Sequence, residues 1–478
     1  MNLNTLPTDY WISCKDCSGL GKKRRKPHKK ERLHFQKKYQ EFIKSKSTEH
    51  APKKPKGQLY NCPSCVGKGI VKSDKPNKIN PNYPHISIIG AGIGGVALAV
   101  TCLHRGIPFT IFEKDQSFNS RSQGYGLTLQ QASKALECFG VIQLKNGIVS
   151  TKHIVHNTKG EVIGEWGKRK WVTEKQKTPL KKTNIHIARQ DLRLELLKQL
   201  GGEQKVNWGH EFLDYKTLNS NEIEISLKSK GNIKKIKTNL VVGADGIWSN
   251  LRQKCIPETK TPLRYLECMV ILGICDLKDL KHINSPLLDS ETVFQTANGT
   301  ERIYVMPYDS KSVMWQLSFP VSETKATSLS KSGSTSLKAE AIKRTPWHDP
   351  IPELIRATKE SLISGYPVYD RKLLKSDAFN DIGNITLIGD AAHPMSPFKG
   401  QGANQALLDG LELSKTLTKA IKANASWRED GLRSILSMFE SKMLKRSAIK
   451  VLDSAEAAKA LHSEQILIKN NQPRGKFL

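Results

Sequence analysis

Asp390 closes the run Ile385-Thr386-Leu387-Ile388-Gly389-Asp390 and is followed by Pro394, Pro397 and the loop Gly400-Gln401-Gly402. A strand that ends in Gly-Asp and re-enters a helix near Ala403 aims backbone N–H groups and a helix N-terminus at something electron-rich. Far upstream, Gly90-Ala91-Gly92-Ile93-Gly94-Gly95 asks for a ligand of the same kind, with Glu113 a further part of the pattern. There Gly90 permits a tight turn, Gly92 lets a pyrophosphate approach the backbone and Gly95 allows close helix–strand packing. The acid about twenty residues on bonds a ribose hydroxyl. Asp245-Gly246, with Ser249 and Arg252 after it, is a third acid–glycine turn. Taken alone it reads equally well as an ordinary strand-to-helix turn. A different chemistry stands at the front of the chain, where Cys14-x-x-Cys17-x-Gly-x-Gly21 is repeated as Cys62-x-x-Cys65-x-Gly-x-Gly69. Four thiolates are the tetrahedral set that suits a structural Zn²⁺. Disulfides among the same four are the rival, disfavoured in a reducing compartment. Four unrelated cysteines would not repeat the trailing glycines.

The elements that must position these groups are legible around them. Ile86, Ile88 and Ile89 form a buried strand, a helix runs from the glycines to about Arg105, and a second strand spans Pro108–Phe112 and ends at Glu113. A membrane span over Ile86–Leu103 is the alternative, but four glycines at a turn and the βαβ continuation argue against it. Leu240–Val242 makes the strand before Asp245, and Ile385–Ile388 the strand before Asp390.

In order and spacing these segments resemble the flavoprotein monooxygenases of the para-hydroxybenzoate hydroxylase type, over roughly residues 85–460. The resemblance implies that Gly90, Gly92, Gly95 and Glu113 hold the ADP half of FAD. It places Asp245 and Gly246 near both FAD and the pyridine nucleotide. Asp390, Pro397, Gly400, Gln401, Gly402, Ala403 and Asn404 then fall beside the ribityl chain and flavin ring. The run Ile187-Ala188-Arg189-Gln190-Asp191-Leu192 resembles the family's Arg-x-x-Leu helix start, which makes Arg189 an FAD contact; an ordinary surface arginine is the plain alternative.

The chemistry so implied belongs to the cofactor. NAD(P)H reduces FAD, O₂ adds to the reduced flavin, and the resulting 4a-hydroperoxide oxygenates an electron-rich aromatic or polycyclic substrate. No protein nucleophile is required, and no catalytic side chain is assigned beyond Pro397 and Gly400 near the flavin. His393 is expected to support the loop rather than to move a proton. The knuckles resemble half of the DnaJ-type chaperone zinc domain.

The fold class expected is α/β: a Rossmann-like FAD-binding domain with an inserted mixed-sheet substrate domain, a small N-terminal zinc-knuckle segment and C-terminal helices. The boundaries expected are 1–80 for the knuckle segment, 85–255 and 378–425 for the FAD-binding domain, 256–377 for the substrate domain and 426–478 for closing helices and tail. Strands are predicted at Leu266–Ile274, Thr292–Gln295, Arg302–Pro307 and Val313–Phe319. Their pocket-facing candidates are Tyr304, Met306, Trp315, Leu317 and Phe319, with plain core packing as the alternative. Ser328–Ser336 reads as a surface loop.

A chain of 478 residues has room for all of this, and its nine cysteines do not make a disulfide scaffold. The N-terminus lacks the apolar stretch of a signal peptide, so a cytoplasmic protein with no transmembrane segment is expected. Net charge is +31, of which residues 1–84 carry +14. The basic insert Lys22–Lys56, with a possible helix over Glu31–Lys44, can hold nucleic acid or an anionic surface by counterion release. A solvated arm reads equally well. A zinc-bearing nucleic-acid-binding protein with a redox-sensing flavin domain is therefore one alternative. A flavin-dependent reductase or halogenase of the same fold is another; Trp166 and Trp171 do not form the halogenase Trp-x-Trp-x-Ile-Pro segment.

Overall fold

The computed structural model describes residues 10–45, 51–120, 124–167, 184–219, 221–423 and 427–473, which leaves Trp171 outside the described residues. A five-stranded parallel sheet forms the centre, in the order Val206–Asn207, Phe109–Phe112, Ile86–Ile89, Leu240–Gly243 and Ile385–Leu387. The strands at 86–89, 240–243 and 385–387 are buried at every position, the burial of strands covered on both faces. The helices Ile93–Arg105, Arg189–Leu200 and Gly402–Lys422 pack around this sheet. All three acid–glycine segments lie at the C-terminal ends of its strands, the side on which open α/β sheets bind ligands.

A second sheet has seven strands, in the order Val162–Trp166, Lys152–Asn157, Thr292–Ala297, Arg302–Asp309, Ser312–Pro320, Leu263–Asp276 and Ile363–Arg371. Its one parallel pairing joins 152–157 to 292–297. The four strands expected between 256 and 377 are present, each slightly longer than predicted. A fifth strand of the same span, Ile363–Arg371, is not among those expected, and two more come from 152–166, upstream of the substrate segment. Their sequence, Lys-His-Ile-Val-His-Asn in the first, interrupts the apolar alternation with histidines, so the strand signal is weak.

Register divides the five pocket-facing candidates between two faces. Tyr304 pairs with Gln316 and Met306 with Met314, whereas Val305 pairs with Trp315 and Ile303 with Leu317. Trp315, Leu317 and Phe319 accordingly belong to the core beneath the helices Glu323–Lys331, Ser334–Arg344 and Ile351–Ala357. Only Tyr304 and Met306 face the cavity described below. The predicted loop at 328–336 is also corrected, since it lies mostly within two helices broken at Ser332–Gly333. Ala326, Leu337 and Ala341 are buried against the sheet, and that tertiary burial overrides the serine-rich local composition.

The closing element is one 29-residue helix, Arg433–Leu461, that packs along Gly402–Lys422. At the other end, strands Tyr10–Ser13 and Ile70–Ser73 pair, as do Lys22–Arg24 and Leu59–Asn61. The expected basic helix forms over Lys29–Lys44 and buries none of its residues. This segment docks on the last turn of Ile93–Arg105, where Arg105 Nη2 donates to Gly19 O at 2.9 Å and Ser13 Oγ to His104 O at 3.2 Å.

Candidate functional site

The glycine loop is built for contact at its backbone. Gly90 has φ +101°, and a Cβ there would lie 2.5 Å from Ala244 O. A Cβ on Gly95 would lie 1.9 Å from Gly90 O, so the helix closes on the strand only because both positions lack side chains. Glu113 sits at the end of the neighbouring strand and accepts Ala91 N–H at 2.7 Å and Asp115 N–H at 3.1 Å. Arg193 Nε donates to Ala91 O at 2.7 Å, its guanidinium held between Phe118 and Trp208. Arg189 opens the helix Arg189–Leu200 and extends across the glycine loop, Nη2 lying 3.7 Å from where a Gly92 Cβ would be. Its Nη1 is buried and has no partner among the described residues.

Asp245 receives Leu251 N–H on Oδ2 at 3.3 Å, while its Oδ1 is buried without a partner. Burial raises its pKa against the opposing hydrogen bonds from Ser249 and Leu251. Asp390 faces the cavity and is otherwise walled by protein; this desolvation raises its pKa, with His393 and Arg189 pulling the other way. The loop beyond it is pinned by Asn404, whose Oδ1 accepts Gln130 N–H at 2.9 Å and whose Nδ2 donates to Thr128 O at 2.9 Å and Gly400 O at 2.8 Å. Gln401 Nε2 adds a bond to Gln130 Oε1 at 2.7 Å.

Beneath the loop His393 Nε2 lies 2.7 Å from Asp409 Oδ2, which also accepts Gly389 N–H at 2.8 Å. Asp409 is paired on its other oxygen with Arg446 from the closing helix. Burial alone would lower the His393 pKa, but the Asp409 carboxylate overrides it and raises it. Asp409 is held low by His393 and Arg446 in spite of its own burial. His393 is thus a support of the flavin-side turn.

These elements surround one cavity of about 1840 Å³. Single small-molecule sites occupy roughly 300–1,000 Å³, so the space admits a dinucleotide and a further ligand. Of the expected cofactor residues, Gly92, Arg189, Gly246, Asp390, Pro397, Gly400, Gln401, Gly402 and Ala403 line it. Gly90, Gly95, Glu113, Asp245 and Asn404 stand behind and shape the lining. The residues fit an FAD: at Gly90 and Gly95 the cradle leaves no room for a Cβ, and the orphaned Arg189 Nη1 and Asp245 Oδ1 are buried polar atoms that a nucleotide would satisfy. The far wall is the seven-stranded sheet, which contributes Gln295, Arg302, Tyr304, Met306, Gln316 and Tyr366.

Sequence reading had missed several of these groups. Thr128 lies on a short strand, Gly126–Leu129, and Gln130 directly after it, with no motif of their own. Asp409 and Arg446 sit within long helices, where only proximity to His393 gives them meaning. Arg302 is the one charge of the predicted strand Arg302–Pro307, at its first position, a departure that could have marked it.

The knuckles meet as expected. Cys14, Cys17, Cys62 and Cys65 are all buried, and their sulfurs lie within 4.8 Å of one another. Cys14 and Cys62 sulfurs are 3.9 Å apart and those of Cys17 and Cys65 3.6 Å, so the four are free thiols and the disulfide alternative is not formed. Sulfurs about 2.3 Å from a central Zn²⁺ lie roughly 3.8 Å from each other in a tetrahedron, and the cluster fits. The two halves repeat each other: Gly21 N–H donates to Cys17 Sγ and Gly69 N–H to Cys65 Sγ, both at 3.2 Å. Both glycines need the left-handed backbone, at φ +75° and +81°. Burial pushes the Cys17 thiol up to about 12, with the Gly21 N–H opposing. Bound metal would displace that proton. No helix among the described residues is long and apolar enough to cross a membrane.

Comparison with known proteins agrees with this geometry. Zeaxanthin epoxidase of Oryza sativa is 28% identical over 358 residues, 72% of this chain and 50% of that protein. The chain therefore spans about half the length of that epoxidase. Aurachin C monooxygenase/isomerase of Stigmatella aurantiaca is 26% identical over 342 residues, covering 70% of this chain and 80% of its own. Among solved structures, HpxO of Klebsiella pneumoniae complexed with FAD and uric acid has the same fold, with a TM-score of 0.62 at 17% identity. That likeness covers 80% of this chain and 90% of HpxO. The sequence model of the family described as FAD binding domain matches residues 84–433, from the strand before the glycine loop to the start of the closing helix, and the chain belongs to that family.

Proposed function

We propose that the protein is an FAD-dependent monooxygenase that uses NAD(P)H and O₂ to oxygenate an electron-rich small molecule, aromatic or polycyclic in character. The observation that carries this reading is a cavity in which Gly92, Arg189, Gly246 and the 389–403 segment face a separate sheet wall. Relatives named as a zeaxanthin epoxidase and an aurachin C monooxygenase/isomerase support the same reaction class. FAD, when bound, supplies the uptake of hydride from the nicotinamide and the activation of O₂.

The chain's own residues bind and orient. With FAD bound, Gly90, Gly92 and Gly95 would bring the helix N-terminus to the pyrophosphate, Glu113 would stand at the ribose, and Arg189 would offer its unpartnered Nη1 to the phosphates. Asp245 and Gly246 border the middle of the cofactor. With FAD bound, Asp390 would meet the ribityl chain, Pro397, Gly400 and Gln401 would shape the turn beside the ring, and the helix start at Gly402, Ala403 and Asn404 would offer first-turn N–H groups that stabilise negative charge there. His393, Asp409 and Arg446 hold that turn rigid from below. The sheet wall and the loop around Phe398 exclude water from the reacting end.

In the same reading residues 10–73 form a zinc-stabilised unit in which Cys14, Cys17, Cys62 and Cys65 are the ligands. A closed four-thiolate site leaves no open position for catalysis, so its role is to fold the arm. Purified protein is expected to be yellow, and Asp390→Ala to lose most of its flavin. A colourless wild type that refolds without FAD would sink the flavoprotein reading.

A further inference from the structure

An arginine stays charged at any physiological pH, and a charge removed from water is costly unless an opposite charge or a full set of hydrogen bonds receives it. Most buried arginines here can be matched to such a partner. Arg371 pairs with Glu258. Arg252 lies in the field of Glu258 and Asp245. Arg105 is received by main-chain carbonyls, Nη1 donating to Thr101 O at 3.2 Å and Nη2 to Gly19 O at 2.9 Å.

Arg302 is different. Its surface is only 6% exposed. Nε donates to Gln295 Oε1 at 2.6 Å, and the guanidinium lies 4.8 Å from the centre of the Tyr304 ring. Among the described residues no carboxylate acts on it; the influences are burial, which pulls its pKa down to about 10, and Tyr304. The group is still charged at pH 7. With Nε engaged, the Nη1–Nη2 edge is the part left to meet a ligand, and that edge matches two oxygens of a planar anion. Sheet parity places Arg302 on the cavity side with Tyr304 and Met306. An independent feature shares the cavity: His186 is fully buried, lines the same space, and its Nε2 has no partner. Burial lowers its pKa to about 3, so the imidazole is neutral and adds no charge of its own.

We propose that Arg302 is the specificity-determining residue of this cavity, and that the substrate is an organic acid whose carboxylate pairs with the Arg302 guanidinium while His186 Nε2 meets a second polar group. Gln295 positions the guanidinium, and the rest of the substrate extends from it into the cavity beside Tyr304. The assignment rests on the reading of this cavity as the substrate chamber of a flavoprotein, and it narrows that reading from electron-rich rings in general to anionic ones.

The test compares acids with their neutral isosteres. Wild type, Arg302→Gln and Arg302→Lys, each loaded with FAD, are titrated with 1-hydroxy-2-naphthoate and 1-hydroxy-2-naphthamide. Anthraquinone-2-carboxylate and its carboxamide make a second pair. Binding is followed by tryptophan fluorescence and by the flavin spectrum. Wild type is expected to prefer each acid by about tenfold or more, the worth of a charged hydrogen-bonded contact. Arg302→Gln should bind acid and amide alike, and Arg302→Lys should recover part of the preference. Because Arg302→Gln removes an uncompensated buried charge, its thermal midpoint without ligand should not fall below that of wild type. Equal binding of acid and amide by wild type, or binding of neither, overturns the proposal, and so does a preference that Arg302→Gln retains. A marked loss of stability in Arg302→Gln would instead make Arg302 a structural residue. The wild-type comparison does not depend on how the variants fold. FAD content, read from absorbance, is separate: a colourless wild type defeats the flavoprotein reading, whereas a yellow one without acid preference defeats only the Arg302 assignment.

Discussion

At the cysteine cluster and at the Gly90–Gly95 loop, glycines let the backbone fold back so that polar groups crowd one point, yet one site closes and the other stays open. The four sulfurs face one another within 4.8 Å, and each knuckle's glycine N–H is spent on a sulfur. The FAD-side cradle faces a cavity of about 1840 Å³ and leaves Arg189 Nη1 and Asp245 Oδ1 buried without partners. A closed set of ligands suits an ion that stays and folds the chain. Unmet hydrogen-bonding groups around an open space suit ligands that come from outside. The two sites also differ in what surrounds them: the knuckles have almost no apolar core of their own, and the cradle lies against the largest core of the molecule.

That contrast can be broken in order of expected effect. Cys62→Ser combined with Cys65→Ser should remove about one zinc per chain, and with it a binding energy on the order of 10–16 kcal/mol that folds the arm. Proteolysis should then cut within residues 10–73 while the FAD absorbance of the remainder persists. Loss of FAD together with zinc would make the two sites one cooperative unit.

Next, Gly95→Ala should abolish FAD retention, because its Cβ would lie 1.9 Å from Gly90 O. Gly94→Ala should be tolerated, its Cβ meeting Ala406 Cβ at an ordinary 3.4 Å. Equal flavin content in both variants, measured after desalting, would contradict the close packing of this helix on its strand.

The smallest effect concerns His393. Its pKa is raised in the folded state, so the stability it contributes is complete below its unfolded value of about 6.5 and is lost as pH rises through the folded value. Asp409 is shifted the other way, and its contribution is lost only as pH falls through its depressed folded value. Thermal midpoints of wild type should therefore decline on the alkaline side of about pH 6.5, and His393→Gln should flatten that decline by about 1–3 kcal/mol. Parallel profiles for the two proteins would remove the buried pair from the account.

Much of the FAD side could be read locally. The glycine loop, Glu113, the Asp245 turn, Arg189 at a helix start and the 389–404 loop are each set by neighbouring residues, and all appear on the expected elements. The cysteine pairs were equally plain, because spacing and trailing glycines repeat. The substrate wall was not. Trp315, Leu317 and Phe319 share a strand pattern with Tyr304 and Met306, yet face the opposite way. The strands at 152–166 joined the sheet without a strong signal, and the serine-rich 328–336 stretch became helix through burial against the sheet. Arg446 reaches Asp409 only because two long helices lie side by side.

The order of motifs along the chain alone determined the cofactor family and the four metal-ligand candidates, since each rests on backbone geometry that a few adjacent residues impose. Tertiary structure decided which face of the seven-stranded sheet meets the flavin, that His393 is a buried support, and that Arg302 stands charged in the cavity with no carboxylate partner among the described residues. These follow from cross-strand register and helix packing between distant segments, and a period of two along one strand cannot say which side will be covered.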